Sequence, residues 1–337
     1  MPVSHTQLTA VVRAVAVVTP LALGLGAWGT DRMSWGAACS FGAYLVLAAF
    51  PSLGEHPRCT VMLWGCLYLS AAAAAGAAAA REPLALVAGA ILLAGLQGMF
   101  ETAGGPLRMI AAMAALSFLL AGVNLASGVP WWEYAAAFAV GTLWQTAVTA
   151  ATGPATGPAA RQAVRLRRRG LPFAGLLAVI GAVGTATAWF IPLSHSVWLT
   201  TSALRVAKPQ PEEFRLRVRA RLQGTISGGV LAAVLLTPVL PNPLLVAGVA
   251  VAVFAMQLVG PSRYGWWTLC LTVVSLFFGM QHGTRDWELA ATRIGLTIGG
   301  AALAVLAYVV FASVVVEGWL RARGERSSAR PSRSARP

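Results

Sequence analysis

The sequence predicts an all-α polytopic transmembrane protein of about twelve helices, arranged as two parallel six-helix repeats. Three observations lead to this fold class. First, 57% of the 337 residues are hydrophobic and only 11% are charged, whereas a soluble domain carries about 25% charged residues. Second, apolar segments recur along the whole chain. Third, motifs of the first half return in the same order in the second half.

The apolar segments define the predicted organisation, because a spanning helix needs about 20 mostly apolar residues. The segments lie near 8–28, 34–50, 58–80, 83–101, 107–126 and 131–153, and then near 172–193, 196–207, 216–239, 242–260, 264–282 and 287–316. They predict a first repeat over 1–153, a basic cytosolic linker over 154–170, a second repeat over 171–317 and a disordered basic cytosolic tail over 318–337.

The repeat is visible in two pairs of motifs. The stretch from Trp132, WEYAAAFAVGT, returns from Trp287 as WELAATRIGLT, and that from Pro83, PLALVAGAILLAGLQ, returns from Pro243 as PLLVAGVAVAVFAMQ. With six helices in each half, both copies enter the membrane in the same direction, which makes the repeat parallel. A pathway between the halves is then the expected site.

The charge of the chain predicts orientation. Its net charge of +14 would indicate nucleic acid in a soluble protein, but in a membrane protein cationic loops mark the cytosolic side. If the segments alternate from a cytosolic N-terminus, twenty basic residues face the cytosol and three face outward. We therefore expect a multi-pass inner-membrane protein with both termini in the cytosol and no nucleic-acid partner. Anionic lipids are expected against Arg215, Arg217, Arg219 and Arg221, which could alternatively form a vestibule that concentrates an anionic substrate.

Glycines at helical spacing predict close helix packing. Gly224 and Gly228 share one face of a predicted helix, and Gly295 and Gly299 do so in the last helix. Small residues four apart let two backbones approach closely, so we expect these faces to pack the halves together. A phosphate-binding loop is disfavoured, because no soluble strand precedes the glycines and no Gly-Lys-Ser/Thr follows them.

Three arginines and two glutamines are the candidate binding residues. Arg293 and Arg205 fall inside apolar segments, where a charge costs at least about 2.5–3.5 kcal/mol, and Arg221 lies at a membrane edge. A planar guanidinium can bind a carboxylate through two hydrogen bonds, although Arg205 could instead extend to the nearby cytosolic edge. Gln257 and Gln281 can hydrogen-bond a substrate or a neighbouring helix.

No motif predicts an enzyme. The four cysteines have no metal-ligand spacing, and the chain contains neither HExxH nor GxSxG. No paired carboxylates lie within the apolar segments. The sequence therefore predicts no catalytic activity, no cofactor and no metal.

Three stretches of the second half, VWLTTSALRVAKP, RLQGTISGG and ATRIGLTIGGAALAVLAYVV, resemble the fusaric acid resistance protein-like family, which is grouped with aromatic acid exporters. The resemblance covers roughly 172–316 and is weaker over 8–153. The residues that match the family pattern are Trp198, Thr201, Arg221, Gly224, Thr225, Gly228, Arg293, Thr297 and Gly300.

The resemblance implies a transporter that exports small organic anions, such as aromatic carboxylates, between the repeats. Two departures concern substrate and coupling: the linker between the halves is short where the exporters carry a large cytosolic insertion, and Arg205 stands where the family usually has an apolar residue. An anion channel using the same arginines and a non-transporting scaffold or accessory subunit are the alternatives. A homo-oligomer is possible in each case.

Overall fold

The computed structural model describes residues 5–26, 33–50, 59–103, 106–124, 130–152, 170–191, 195–236, 242–279 and 286–328. Within these ranges it contains twelve α-helices and no strand, which confirms the predicted all-α polytopic fold. The helices are α1 (His5–Gly26), α2 (Met33–Ala49), α3 (Cys59–Ala79), α4 (Pro83–Ala103), α5 (Pro106–Asn124), α6 (Trp131–Ala151), α7 (Gly170–Phe190), α8 (Trp198–Val206), α9 (Pro211–Leu236), α10 (Asn242–Val259), α11 (Tyr264–Gly279) and α12 (Asp286–Ser328).

The two halves pack their helices in matching combinations. Helix α2 packs on α6 as α8 packs on α12, and α3 packs on α5 as α9 packs on α11. Between the halves, α4 packs on α7 and, in the equivalent contact, α10 packs on α1. Two parallel copies related by a twofold axis would produce this set of contacts. The first and fourth helices of each copy therefore form the interface that joins the halves.

Two short central helices, α2 and α8, are almost entirely buried. The nine residues of α8 rise only about 13 Å, too little to cross a bilayer, so the prediction that every segment spans is wrong for this helix. The helix ends early because Pro209 disfavours the helical conformation at the residue before it. A helix of this kind, ending inside the fold, places side chains near the centre of the molecule.

Length and hydropathy identify the helices that could cross a membrane. Among the described residues, five helices are long and apolar enough: α1, α3, α4, α7 and α12. Helices α10 and α11 pass the same test as a pair, although they meet at 98°. Gly260, whose φ is +67°, lies at this break, where a left-handed backbone favours glycine. The chain is therefore a multi-pass membrane protein, as the sequence predicted.

Helix boundaries differ from the predictions at two places. Helix α12 continues to Ser328, so the expected disordered tail over 318–337 is helical as far as the structure describes it. Residues beyond Val316 still include strong helix formers, and the first proline after them is Pro331. Helix α9 begins at Pro211 rather than at 216, and Glu212 and Glu213 in its first turn favour the positive end of the helix dipole. The linker over 154–169 lies outside the described residues.

Candidate functional site

Four arginines alternate along the first half of α9. Because each residue of an α-helix turns by about 100°, arginines two apart fall on nearly opposite faces. Arg215 and Arg219 are exposed, whereas Arg221 is only 2% exposed and Arg217 is partly buried. The guanidinium of Arg217 lies 4.3 Å from the ring centre of Tyr264 on α11. Helix α9 therefore turns only one of its two arginine pairs inward.

Arg221 is a buried cation without a described partner. Its Nε and Nη1 atoms have no hydrogen-bond acceptor, and no described carboxylate forms an ion pair with it. A buried guanidinium that lacks an anion is strongly disfavoured in a folded protein. Arg221 is therefore arranged as a binding group would be before its ligand arrives.

Arg293 on α12 is 4% exposed, and its guanidinium lies 4.2 Å from the ring centre of Trp198 at the start of α8. Its Nε also has no hydrogen-bond partner. The ring of His195 stacks on Trp198 with the centroids 4.6 Å apart, and His195 has a left-handed backbone with φ of 64°. Burial, followed by the charge of Arg293, lowers the pKa of His195, which keeps this imidazole neutral near pH 7.

Arg205 on α8 lies 5.5 Å from the ring centre of Trp267 on α11. It is partly exposed and lines a narrow cleft together with Gln97, Thr201 and residues of α5. Because α4 and α5 belong to the first half and α8 to the second, the cleft lies between the halves. Arg205 thus points into the protein rather than only to the cytosolic edge.

The three arginines share one electrostatic neighbour in the first half. Arg205, Arg221 and Arg293 all interact electrostatically with Tyr44, a buried residue of α2 in the first half. Arg221 also interacts with each of the other two. The Tyr44 hydroxyl donates a hydrogen bond of 3.6 Å to the Sδ atom of Met256. We call Arg205, Arg221 and Arg293 the arginine cluster.

Of the two predicted glutamines, only Gln257 can be placed. It follows Met256 on α10, is buried, and has no hydrogen-bond partner for either side-chain atom. Gln281 lies outside the described residues. Gln97, which occupies the place of Gln257 in the first half, donates a hydrogen bond of 3.3 Å to the carbonyl oxygen of Leu204 and so joins α4 to α8. In that copy the glutamine connects helices across the two halves.

The glycines of α9 pack against α11, within the second half rather than between the halves as expected. A methyl group at Gly224 would collide with the carbonyl oxygen of Gly265, and one at Gly228 would lie 2.7 Å from that of Leu269. Such distances leave room only for a hydrogen atom. This close approach positions α9, and Arg221 on it, against α11.

The predicted face on α12 is displaced along the helix. A methyl group at Gly295 would have no neighbouring atom within 4 Å, and one at Gly299 would make only an ordinary contact with Leu199. The close approach is at Gly300, where a methyl group would collide with the carbonyl oxygen of Leu199 on α8. The close approach is at Gly300 because α8 packs there, and glycine spacing in the sequence does not reveal such a long-range contact.

The described carboxylates near this region have other partners. Glu101 forms an ion pair with Lys208, and a second one of 3.7 Å with Arg108. Burial lowers the pKa of Lys208, and the neighbouring Glu101 opposes this shift. Glu213 pairs with Arg217 at 3.3 Å. In the described part of the chain, no group of acidic, histidine or cysteine side chains could hold a metal ion.

Sequence reasoning found the arginines but missed their aromatic and phenolic neighbours, which are Tyr44, Tyr264, Trp267 and His195. Tyr44 carries one usable signal, because a tyrosine inside an apolar helix needs a partner for its hydroxyl. No feature of the neighbouring sequence identifies His195 as part of the site, because its stacking on Trp198 depends on the turn between α7 and α8.

These features define a polytopic α-helical membrane protein with a buried cationic cluster between its halves. Residues 179–307 match the family described as fusaric acid resistance protein-like, which confirms the resemblance seen in the second half. The matched range contains Arg205, Arg221 and Arg293. No curated protein and no solved structure matches the chain. This match, together with the helices long enough to cross a membrane, supports a membrane protein of the transporter type.

Proposed function

We propose that the protein exports small organic anions, such as aromatic carboxylic acids, and binds them at the arginine cluster. One observation carries the proposal: Arg221 and Arg293 are buried with unsatisfied guanidinium nitrogens, and no described carboxylate forms an ion pair with either of them or with Arg205. An anionic ligand would supply the acceptors that Arg221 and Arg293 lack.

The neighbours of the arginines suit an aromatic ligand. Trp198 lies beneath Arg293 and Trp267 beneath Arg205, so each cation already rests on an aromatic surface. A ring of the substrate can stack in the same region, while its carboxylate receives two parallel hydrogen bonds from a guanidinium. Gln257 has an unused amide that can add a hydrogen bond.

The proposal includes an orientation in the plasma membrane. We place both termini in the cytosol, and the exposed Arg215 and Arg219 of α9 against anionic lipid headgroups on that side. Because α8 is too short to cross the membrane, counting alternating helices does not by itself support this orientation. The orientation is supported instead by the excess of arginine in the linker and on α9. Cysteine labelling of the two termini from each side would test it.

Flux into or out of liposomes tests the transport function. The purified protein is reconstituted, and movement of radiolabelled benzoate is measured for the wild type, Arg293→Gln and Arg221→Gln. We expect each variant to lose about tenfold or more of the flux, since a charge-assisted hydrogen bond is worth about 1.5–3 kcal/mol. Arg215→Gln, on the exposed face of α9, is the matched control and should retain it.

Two results would oppose the proposal. Equal flux in the wild type and both buried-arginine variants would exclude the cluster as the binding site. A current that rises linearly with voltage and does not saturate with benzoate concentration would identify a channel rather than an exporter. Export from cells is checked separately, by comparing accumulation of the labelled acid with and without the protein.

A further inference from the structure

We propose that the ligand of the arginine cluster carries two negative charges, so that organic dianions are preferred over monocarboxylates. The inference rests on the proposed function and concerns the substrate class of the same site. It follows from a count of the charges in and around the cluster, and from the way the three arginines are distributed over the fold.

The empty cluster carries three positive charges. Arginine does not lose its proton in proteins, so burial cannot neutralise these side chains. Arg221 interacts electrostatically with both Arg205 and Arg293, and like charges repel each other. A single carboxylate would leave two of the three charges uncompensated, whereas a dianion would leave one.

The described residues around the cluster do not supply the missing negative charge. Tyr44 and Tyr264, which interact with the arginines, are phenols. Among the described acidic residues, Glu101 is paired with Lys208 and Arg108, and Glu213 is paired with Arg217 on the exposed part of α9. Within the described residues, no carboxylate is left to pair with the cluster, and a second acidic group on the ligand would supply one.

The arginines offer two separated positions for acidic groups. Arg293 rests on Trp198 and belongs to α12, while Arg205 rests on Trp267 and belongs to α8. Arg221 from α9 interacts with both. Trp198 and Arg205 lie seven residues apart on α8, a rise of about 10 Å, so the two positions lie along one short helix. A ligand with an acidic group at each end fits this arrangement.

Packing of the repeat does not require this accumulation of charge. When WEYAAAFAVGT is aligned with WELAATRIGLT, Phe138 occupies the position of Arg293. Phe138 is fully buried, and α2 packs on α6 in the first half as α8 packs on α12 in the second. An apolar residue therefore serves the same architecture, and the arginine is left to be explained by a ligand.

The test measures how strongly affinity depends on ligand charge. Purified protein in phosphatidylcholine nanodiscs is titrated at neutral pH with benzamide, benzoate, phthalate and terephthalate, which share one ring and carry zero, one, two and two negative charges. We expect at least one dicarboxylate to bind about tenfold or more tightly than benzoate, because charge-assisted pairs at a buried site are strong. Benzamide should bind most weakly.

Arginine variants connect this preference to the cluster. Arg293→Gln should lower the dicarboxylate-to-benzoate affinity ratio several-fold, because one of the two positions for an acidic group loses its cation. Arg205→Gln repeats the test at a partly exposed position, so that a folding defect of the buried variant does not decide the result. Arg215→Gln on the exposed face of α9 is the control and should keep the wild-type ratio.

The outcomes separate the two proposals. If benzoate binds and moves in an arginine-dependent manner but no dicarboxylate binds more tightly, the inference is wrong and the proposed function stands. Binding of two benzoates per chain would likewise overturn the inference. If no anion binds, or if binding is indifferent to all three arginines, the proposed function fails and the inference fails with it.

Discussion

Replacing Arg221 with methionine should stabilise the ligand-free protein and at the same time abolish anion binding. Arg221 is 2% exposed, lacks acceptors for Nε and Nη1, and interacts unfavourably with Arg205 and Arg293. Methionine has an unbranched side chain that can follow the same path without carrying a charge. The substitution therefore removes a destabilising interaction that only a bound anion would offset.

The expected magnitude follows from the cost of a buried charge. An arginine at depth in a membrane protein costs about 2.5–3.5 kcal/mol on insertion scales. Replacement of buried charged groups by apolar residues of similar volume stabilises proteins by about 1–4 kcal/mol. Some packing is lost with the shorter side chain, so we expect a gain of about 2 kcal/mol for Arg221→Met.

Unfolding in nanodiscs, followed with and without a saturating aromatic dicarboxylate, measures both effects. Without ligand, Arg221→Met should unfold at a higher denaturant concentration than the wild type. With ligand, only the wild type should gain further stability, because ligands stabilise the state that binds them. Arg219→Met, on the exposed face of the same helix, is the matched control and should change neither value. A less stable Arg221→Met variant, or one that keeps the ligand effect, would refute the reasoning.

Three further predictions concern the surroundings of the cluster. Gly224→Ala should destabilise the protein by about 1–3 kcal/mol in the same unfolding assay, since its methyl group would collide with α11, whereas Gly295→Ala should be neutral or slightly stabilising. Lys208→Met should cost about 3 kcal/mol by leaving the buried Glu101 with one weaker partner, and adding Glu101→Gln should recover most of the loss. For the wild type, the affinity for a benzenedisulfonate should rise as the pH falls from about 8 to 5. The bound anion offsets the charge of Arg293, which helps to lower the pKa of His195, so protonation of His195 and anion binding favour each other. His195→Gln should remove this rise. Titration calorimetry at each pH measures it, and an unchanged slope in His195→Gln would contradict this role.

The positions of most helices can be predicted from the sequence, because in a membrane protein the length of an apolar segment is close to the length of the helix that it forms. The early end of α8 is also encoded locally, in Pro209, although hydropathy alone does not show that the helix is too short to span. The continuation of α12 to Ser328 differs from the expected disorder, because glutamate, arginine and alanine are good helix formers despite the charged composition. Composition and helix propensity disagree here, and propensity is the better guide.

The candidate site is predictable only in part. The cost of burying a charge singles out Arg205 and Arg293 from their positions in apolar segments. The contribution of Tyr44 is not accessible in the same way, because it reaches the arginines across the interface between the halves. The inward direction of Arg221 is set by the packing of α9 on α11 through Gly224 and Gly228, and the spacing of the arginines does not show which pair faces inward.

The two repeats have the same packing but different interiors, and this difference bears on how the site could have arisen. Helices of the first half pack in the same combinations with Phe138 where the second half has Arg293, so the scaffold tolerates either residue. Stability therefore does not require the arginines, and an uncompensated cluster lowers it. A cost of this kind persists where function requires it, which is the expected condition of a binding site. If so, Arg293→Phe, which copies the first repeat, should yield a well-folded protein of higher stability that no longer moves anions. Comparing its unfolding with its flux would show whether the charge belongs to the scaffold or to the ligand.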